Sequence, residues 1–251
     1  MRVRLQSLWF AGPNVGFAAG PRTIVRYDGK GWKAVRDPLD GQGNITYTAI
    51  WGSGSKDVFV VGLHDDGPST VIEHYNGTRW EREAVDGVLF PRGVWGAGPN
   101  EVFVVGSCLL KTGLNVMRYD GKEWSNMLCP GPLRGIWGAS RDNVFAVGEK
   151  GSIVRFDGRT WTPMESGTDV DLNGIWGSGP KDVLVVGDGG TILHYDGVRW
   201  SPMASGTKKR LSAVWGAGPQ DVFAVGEGGT FLYHGSSGTQ ATRRKRKPDA
   251  H

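Results

Sequence analysis

Cysteine occurs only twice in the 251 residues, at Cys108 and Cys129. That excludes a disulfide-stapled scaffold and the cysteine clusters of structural zinc or iron–sulfur sites. No uninterrupted apolar run approaches the roughly 18 residues of a membrane helix, so no membrane span is expected. The five histidines show no metal-ligand spacing, and neither a metal nor a cofactor is expected. Long helical periodicity is missing as well. Glycine, by contrast, is far above its usual share at 41 residues, and tryptophan reaches 11. Such a composition describes a repetitive sheet protein, long enough to bury a sizeable core.

The net charge of +4 belongs to the end of the chain. Arg243, Arg244, Lys245, Arg246 and Lys247 are five of the 29 basic residues, and positions 1–240 hold 24 basic and 24 acidic residues. A neutral body offers no overall field to steer it toward nucleic acid. The basic run reads as a disordered tail over 236–251, behind a single domain over 1–235.

Self-similarity is the strongest signal. Trp51-Gly-Ser-Gly-Ser-Lys-Asp-Val-Phe-Val-Val-Gly62 recurs as Trp95–Gly106, Trp137–Gly148, Trp176–Gly187 and Trp215–Gly226, with Trp9–Gly20 as a weaker copy. The leading tryptophans are 42, 44, 42, 39 and 39 residues apart. This is the period of propeller blades, because each unit breaks into short alternating stretches punctuated by glycine. The unit at Leu172–Met203 shows the pattern. Leu172–Trp176 is strand A, and Gly177–Lys181 is a turn with Pro180 presetting φ. Asp182–Val186 is a β-branched strand B, Gly187–Gly190 a tight hairpin, Thr191–Tyr195 strand C, and Arg199–Met203 strand D. Four antiparallel strands repeated radially make a β-propeller. The sequence predicts an all-β fold of six four-stranded blades. The last unit stops after strand C, so the last blade is expected to lack its outer strand and to offer an edge for self-association.

A second motif marks the C–D turn of five units: Tyr27-Asp-Gly-Lys-Gly-Trp32, Tyr75-Asn-Gly-Thr-Arg-Trp80, Tyr119-Asp-Gly-Lys-Glu-Trp124, Phe156-Asp-Gly-Arg-Thr-Trp161 and Tyr195-Asp-Gly-Val-Arg-Trp200. With these two motifs the chain resembles the bacterial Asp-box type of β-propeller over residues 5–234. The resemblance implies that the Asp box is a structural turn, away from the usual ligand site. These turns are shorter than the full box, and the sixth unit has Tyr233-His-Gly235 instead.

Function is sought where the repeats differ. The A–B and C–D turns are nearly constant, whereas the D–A connections vary and the B–C loops lengthen at 63–69 and 107–113. Both variable sets open on one face, as binding surfaces built on rigid scaffolds do. Just before a column of small residues at the start of strand A stand Gln6, Thr48, Arg92, Arg134, Asn173 and Ser212. All six are polar and are candidate ligand-binding residues, with Arg92 and Arg134 as fork-shaped donors to an anion or carbohydrate. The expectation is a non-catalytic binding or scaffold module recognising a protein or glycan through this loop face.

An enzyme is the alternative: a glycan-active hydrolase or lyase with its site at the mouth of the central channel. No catalytic residues are assigned to it. Arg26, Arg118 and Arg155 share a column with His74 and His194, but on strand C, away from the axis. Asp57, Asp182 and Asp221 share theirs with Glu101 and Asn143, a swap that a turn cap tolerates and a catalytic acid does not. Cys108 and Cys129 fall on a B–C loop and a D–A connection of one blade and are expected to approach each other as a disulfide candidate. Met1–Arg4 begins no convincing leader, since Gln6, Pro13 and Asn14 interrupt it. The expectation is a cytoplasmic protein if the chain is complete and an exported one if it is a fragment.

Overall fold

The computed structural model describes residues 4–36, 44–67, 69–85, 89–108, 113–235 and 238–243. They form six four-stranded antiparallel sheets, the six blades of a β-propeller, each a simple meander from strand A to strand D. The first sheet comprises Ser7–Gly12, Val15–Gly20, Thr23–Tyr27 and Trp32–Arg36. The second comprises Ile45–Gly54, Asp57–His64, Thr70–Tyr75 and Trp80–Arg82. The third comprises Leu89–Gly98, Glu101–Cys108, Val116–Tyr119 and Trp124–Met127. The fourth comprises Leu133–Ser140, Asn143–Gly148, Ile153–Phe156 and Trp161–Met164. The fifth comprises Leu172–Gly179, Asp182–Gly187, Ile192–Tyr195 and Trp200–Pro202. In the sixth the repeat supplies three strands, Leu211–Gly218, Asp221–Gly226 and Thr230–Gly235, as its sequence predicts.

The outer edge of that sixth sheet is not open, and here the expectation is corrected. Gly238–Arg243, from outside the repeat, runs antiparallel to Thr230–Gly235, with Gly235 opposite Gly238 and Thr230 opposite Arg243. An unpaired strand edge is a row of unmet donors and acceptors, and the adjoining chain meets them whatever its side chains. Strand structure therefore extends into the predicted tail as far as Arg243; residues 244–251 lie outside the described residues.

The described chain divides into two compact units, Met1–Ala146 with Val154–Thr162 and Val147–Ile153 with Pro163–His251. In the first unit strand B is buried on both faces, as at Val58–Val61 and Val102–Val105. That explains its continuous apolar run where a one-sided strand would alternate. Neighbouring sheets share these strands: Phe17, Ala19 and Ile24 of the first pack with Ile45, Ile50, Val58 and Val60 of the second. The strand-A tryptophans lock the pairs. Trp9 lies over Gly52 and Trp51 over Gly96, and a methyl on either glycine would come within 2.8 Å of the indole. In this unit the Trp-Gly dipeptide is thus two halves of one contact, with Trp9, Trp51 and Trp95 each covering the glycine after the next tryptophan.

The second unit repeats the arrangement. Trp176 covers Gly216, and Val186 and Ile192 of the fifth sheet pack with Leu211, Ala224 and Leu232 of the sixth. The equivalent residues on the sixth sheet, Trp215, Val225 and Phe231, are 61%, 42% and 39% exposed.

The C–D turns have one construction. Oδ1 of Asp28 accepts from the backbone N–H groups of Lys30 and Gly31, both at 3.0 Å. Asn76, Asp120, Asp157 and Asp196 do the same two and three residues on. The glycine between them takes φ of 87–97°, a left-handed conformation that disfavours any side chain.

Candidate functional site

The polar column at the start of strand A divides in the structure. Thr48 Oγ1 donates to the carbonyl of Pro91 at 2.8 Å. Asn173 Nδ2 donates to the carbonyl of Leu211 at 3.0 Å. In both cases the acceptor is the residue before the next column member, so these two side chains tie neighbouring sheets together. Asn173 also bonds Asp188 and accepts from Arg210, forming a small network at the end of the fifth sheet. Gln6 and Ser212 are exposed, and Arg134 is half-buried. Arg92 is exposed and makes no hydrogen bond or ion pair among the described residues. Of the expected loop face, residues 37–43, 68, 86–88 and 109–112 lie outside the described residues.

A second column, on the opposite rim, is more highly built. Strand-C side chains meet acceptors at the start of strand B of the same sheet. Nε2 of His74 lies 2.6 Å from Oδ1 of Asp57. Arg118 grips Glu101 with two donors, Nε to Oε1 at 2.6 Å and Nη2 to Oε2 at 2.9 Å. Arg155 Nε donates to Asn143 Oδ1 at 3.0 Å, and His194 Nε2 lies 2.7 Å from Asp182 Oδ1. The acids expected only to close turns are therefore cross-strand partners too, and two of them, Asp57 and Asp182, also accept from Ser53 and Ser178. Three of the strand-C groups sit against aromatic rings: His74 stacks on Phe59 at 4.1 Å, and the Arg118 and Arg155 guanidinium groups lie 5.9 and 5.7 Å from Phe103 and Phe145. Burial opposes a charge on His74, but hydrogen bonds to Asp57 and to Glu83 outweigh it and push the imidazole up to about 9.

The first sheet breaks this series. Its register places Arg26 opposite Phe17 and Val15 opposite Gly12, the positions that His74 and Asp57 hold in the second sheet. Valine stands where the acceptor belongs. Arg26 Nε is buried and has no hydrogen-bond partner among the described residues, and the guanidinium lies 5.7 Å over the Phe17 ring. Beside it is a cavity of about 420 Å³ lined by Phe17, Arg26, Val35, Tyr75, Thr78, Arg79 and Trp80. The signal was present in the sequence, since Val15 follows Trp9 at the same spacing as Asp57 follows Trp51. It lacked meaning until the register paired that position with strand C.

Of the expected cysteine pair, one member is described in full. Cys129 is a buried free thiol, its backbone N–H donating to Gly113 at 2.7 Å, and burial pushes the thiol up to about 12. The side chain of Cys108 lies outside the described residues. Among the described residues no group of three or more His, Cys, Asp or Glu side chains is placed to hold a metal ion, and no helix is long and apolar enough to cross a membrane.

No protein-family model matches the sequence, and no curated protein matches it either. Solved structures do. A structure titled YCF48 bound to D1 peptide superposes with a TM-score of 0.71 at 17% identity, over 94% of this chain and 80% of that one. YCF48 from Cyanidioschyzon merolae gives 0.70 at 15%, over 95% and 84%. The WD40 repeats of RRP9 give 0.71 at 9%, over 93% and 76%. At these identities the likeness is one of fold, and the shared fold is the β-propeller.

Proposed function

We propose that the chain is a non-catalytic module that recognises a protein partner through the face on which its B–C loops and D–A connections open. The carrying observation is Arg92. It is the exposed cation of the polar column, bonded to nothing among the described residues, whereas Thr48 and Asn173 of the same column are committed to holding sheets together. A free guanidinium on a rigid strand end is preorganised for an acidic partner, so little ordering entropy is lost on contact. The solved neighbour bound to a D1 peptide supports a peptide-bearing partner for this one.

The test immobilises the full chain and captures partners from extract of the source cells, with Arg92→Glu in parallel. A reproducible partner, retained by the parent and reduced at least tenfold by Arg92→Glu, is the expected result. Equal retention by both would place recognition elsewhere.

A further inference from the structure

In four sheets the strand-C group and its acceptor both come from the chain: His74 with Asp57, Arg118 with Glu101, Arg155 with Asn143, His194 with Asp182. The first sheet keeps the cation and the ring beneath it, Arg26 over Phe17, and the rings beyond, Tyr75 and Trp80 at 5.9 and 6.2 Å from Phe17. It has lost only the acceptor. A valine methyl accepts nothing, so the buried Nε of Arg26 is left with an unmet donor, a state that is costly inside a protein.

The Arg26 side chain also lines open space. The cavity carries two arginines, Arg26 and Arg79, and no acid among the described residues of its lining. Arg79 is mostly exposed and paired with Glu81 at 2.5 Å, which leaves Arg26 as the deep cation and Arg79 at the mouth. Glu101 shows how the vacant position is used when an acceptor is present, one carboxylate oxygen on Nε and the other on Nη2. A volume of about 420 Å³ holds more than a bare carboxylate, and its Tyr75 and Trp80 walls suit an aliphatic stem or a stretch of main chain.

We infer that this pocket binds a carboxylate presented by a peptide, held by the guanidinium group of Arg26. The carboxylate comes from an acidic side chain or from a C-terminus, and both meet the guanidinium fork in the same way. The site lies on the C–D turn rim, apart from Arg92.

The experiment titrates three peptides into the full chain and follows the Arg Nε–H signals by ¹⁵N NMR. The peptides are acetyl-Ala-Glu-Ala-amide, acetyl-Ala-Ala-Ala with a free C-terminus, and acetyl-Ala-Gln-Ala-amide. At least one carboxylate peptide is expected to shift the Arg26 signal, and the one that does so identifies the source; the glutamine peptide is expected to leave it unmoved. Arg26→Leu and Val15→Asp are each expected to weaken binding at least tenfold. Val15→Asp does so by restoring the internal acceptor, and it raises the thermal midpoint in the absence of peptide, which separates its effect from misfolding. The inference is overturned if neither carboxylate peptide binds, if the glutamine peptide binds equally, or if Val15→Asp binds as the parent does. Because the titration uses these peptides and no captured partner, its failure leaves the loop-face reading standing.

Discussion

The indole of Trp176 lies so close over Gly216 that a methyl on the glycine would come within 2.7 Å of the ring. The contact belongs to both residues, and either substitution should disturb it. Gly216→Ala is expected to destabilise by about 1–3 kcal/mol through overpacking, and Trp176→Ala by about 2–4 kcal/mol through lost burial. Trp215→Ala changes the same residue of the next repeat, where the ring is exposed, and should cost less than about 1 kcal/mol. Urea unfolding of the three variants checks the order; equal losses at Trp176 and Trp215 would contradict it.

His74 carries a pH dependence. Its pKa is raised from the ordinary 6.5 to about 9 by Asp57 and Glu83, against the effect of burial. The group is protonated in the folded state and less so in the unfolded chain above pH 6.5, so its contribution is complete below that pH. It is lost as pH rises through about 9. Allowing for solvent screening of a partly exposed pair, the contribution is on the order of 1–2 kcal/mol. Unfolding measured at pH 6, 8 and 10 should show the parent losing its margin over His74→Gln across that interval. A constant margin would remove the ion pair from the account.

Removing residues 236–251 takes away the strand at Gly238–Arg243 and bares the backbone of Thr230–Gly235. An open edge next to exposed Val225 and Phe231 is an association hazard. The truncated chain is expected to form concentration-dependent oligomers in sedimentation while the full chain does not. If the full chain associates equally, the outer strand does not protect the edge.

Cys129 should be chemically silent while the protein is folded. Burial pushes its thiol up to about 12, and the thiolate is the reactive form. Alkylation at pH 8 is expected to be slower by on the order of a hundredfold in the folded protein than in denaturant, read by mass spectrometry of the Cys129 peptide. Rapid labelling of the native chain would show that this region opens.

The blades were legible in the sequence because a blade is a local object. The period of the tryptophans, the β-branched run of strand B and the Tyr-Asp-Gly turn are properties of a few adjacent residues. Physical chemistry acts on them within that span: a carboxylate capping two nearby amides, a glycine at positive φ, a strand buried on both faces. The pairings were not legible, because they join residues brought together only by register. That Asp57 serves His74 and Glu101 serves Arg118 follows from strand B lying beside strand C. Thr48 and Asn173 read from the sequence as candidate ligand-binding residues, and only the next sheet puts a carbonyl within their reach. Gly238–Arg243 carries neither repeat motif, and it becomes a strand because an unpaired edge accepts a backbone without reading its side chains. Sequence alone determined the units and their turns. Tertiary structure decided which groups met, and at Arg26 which group did not, since a missing acceptor is defined only by the space it fails to fill.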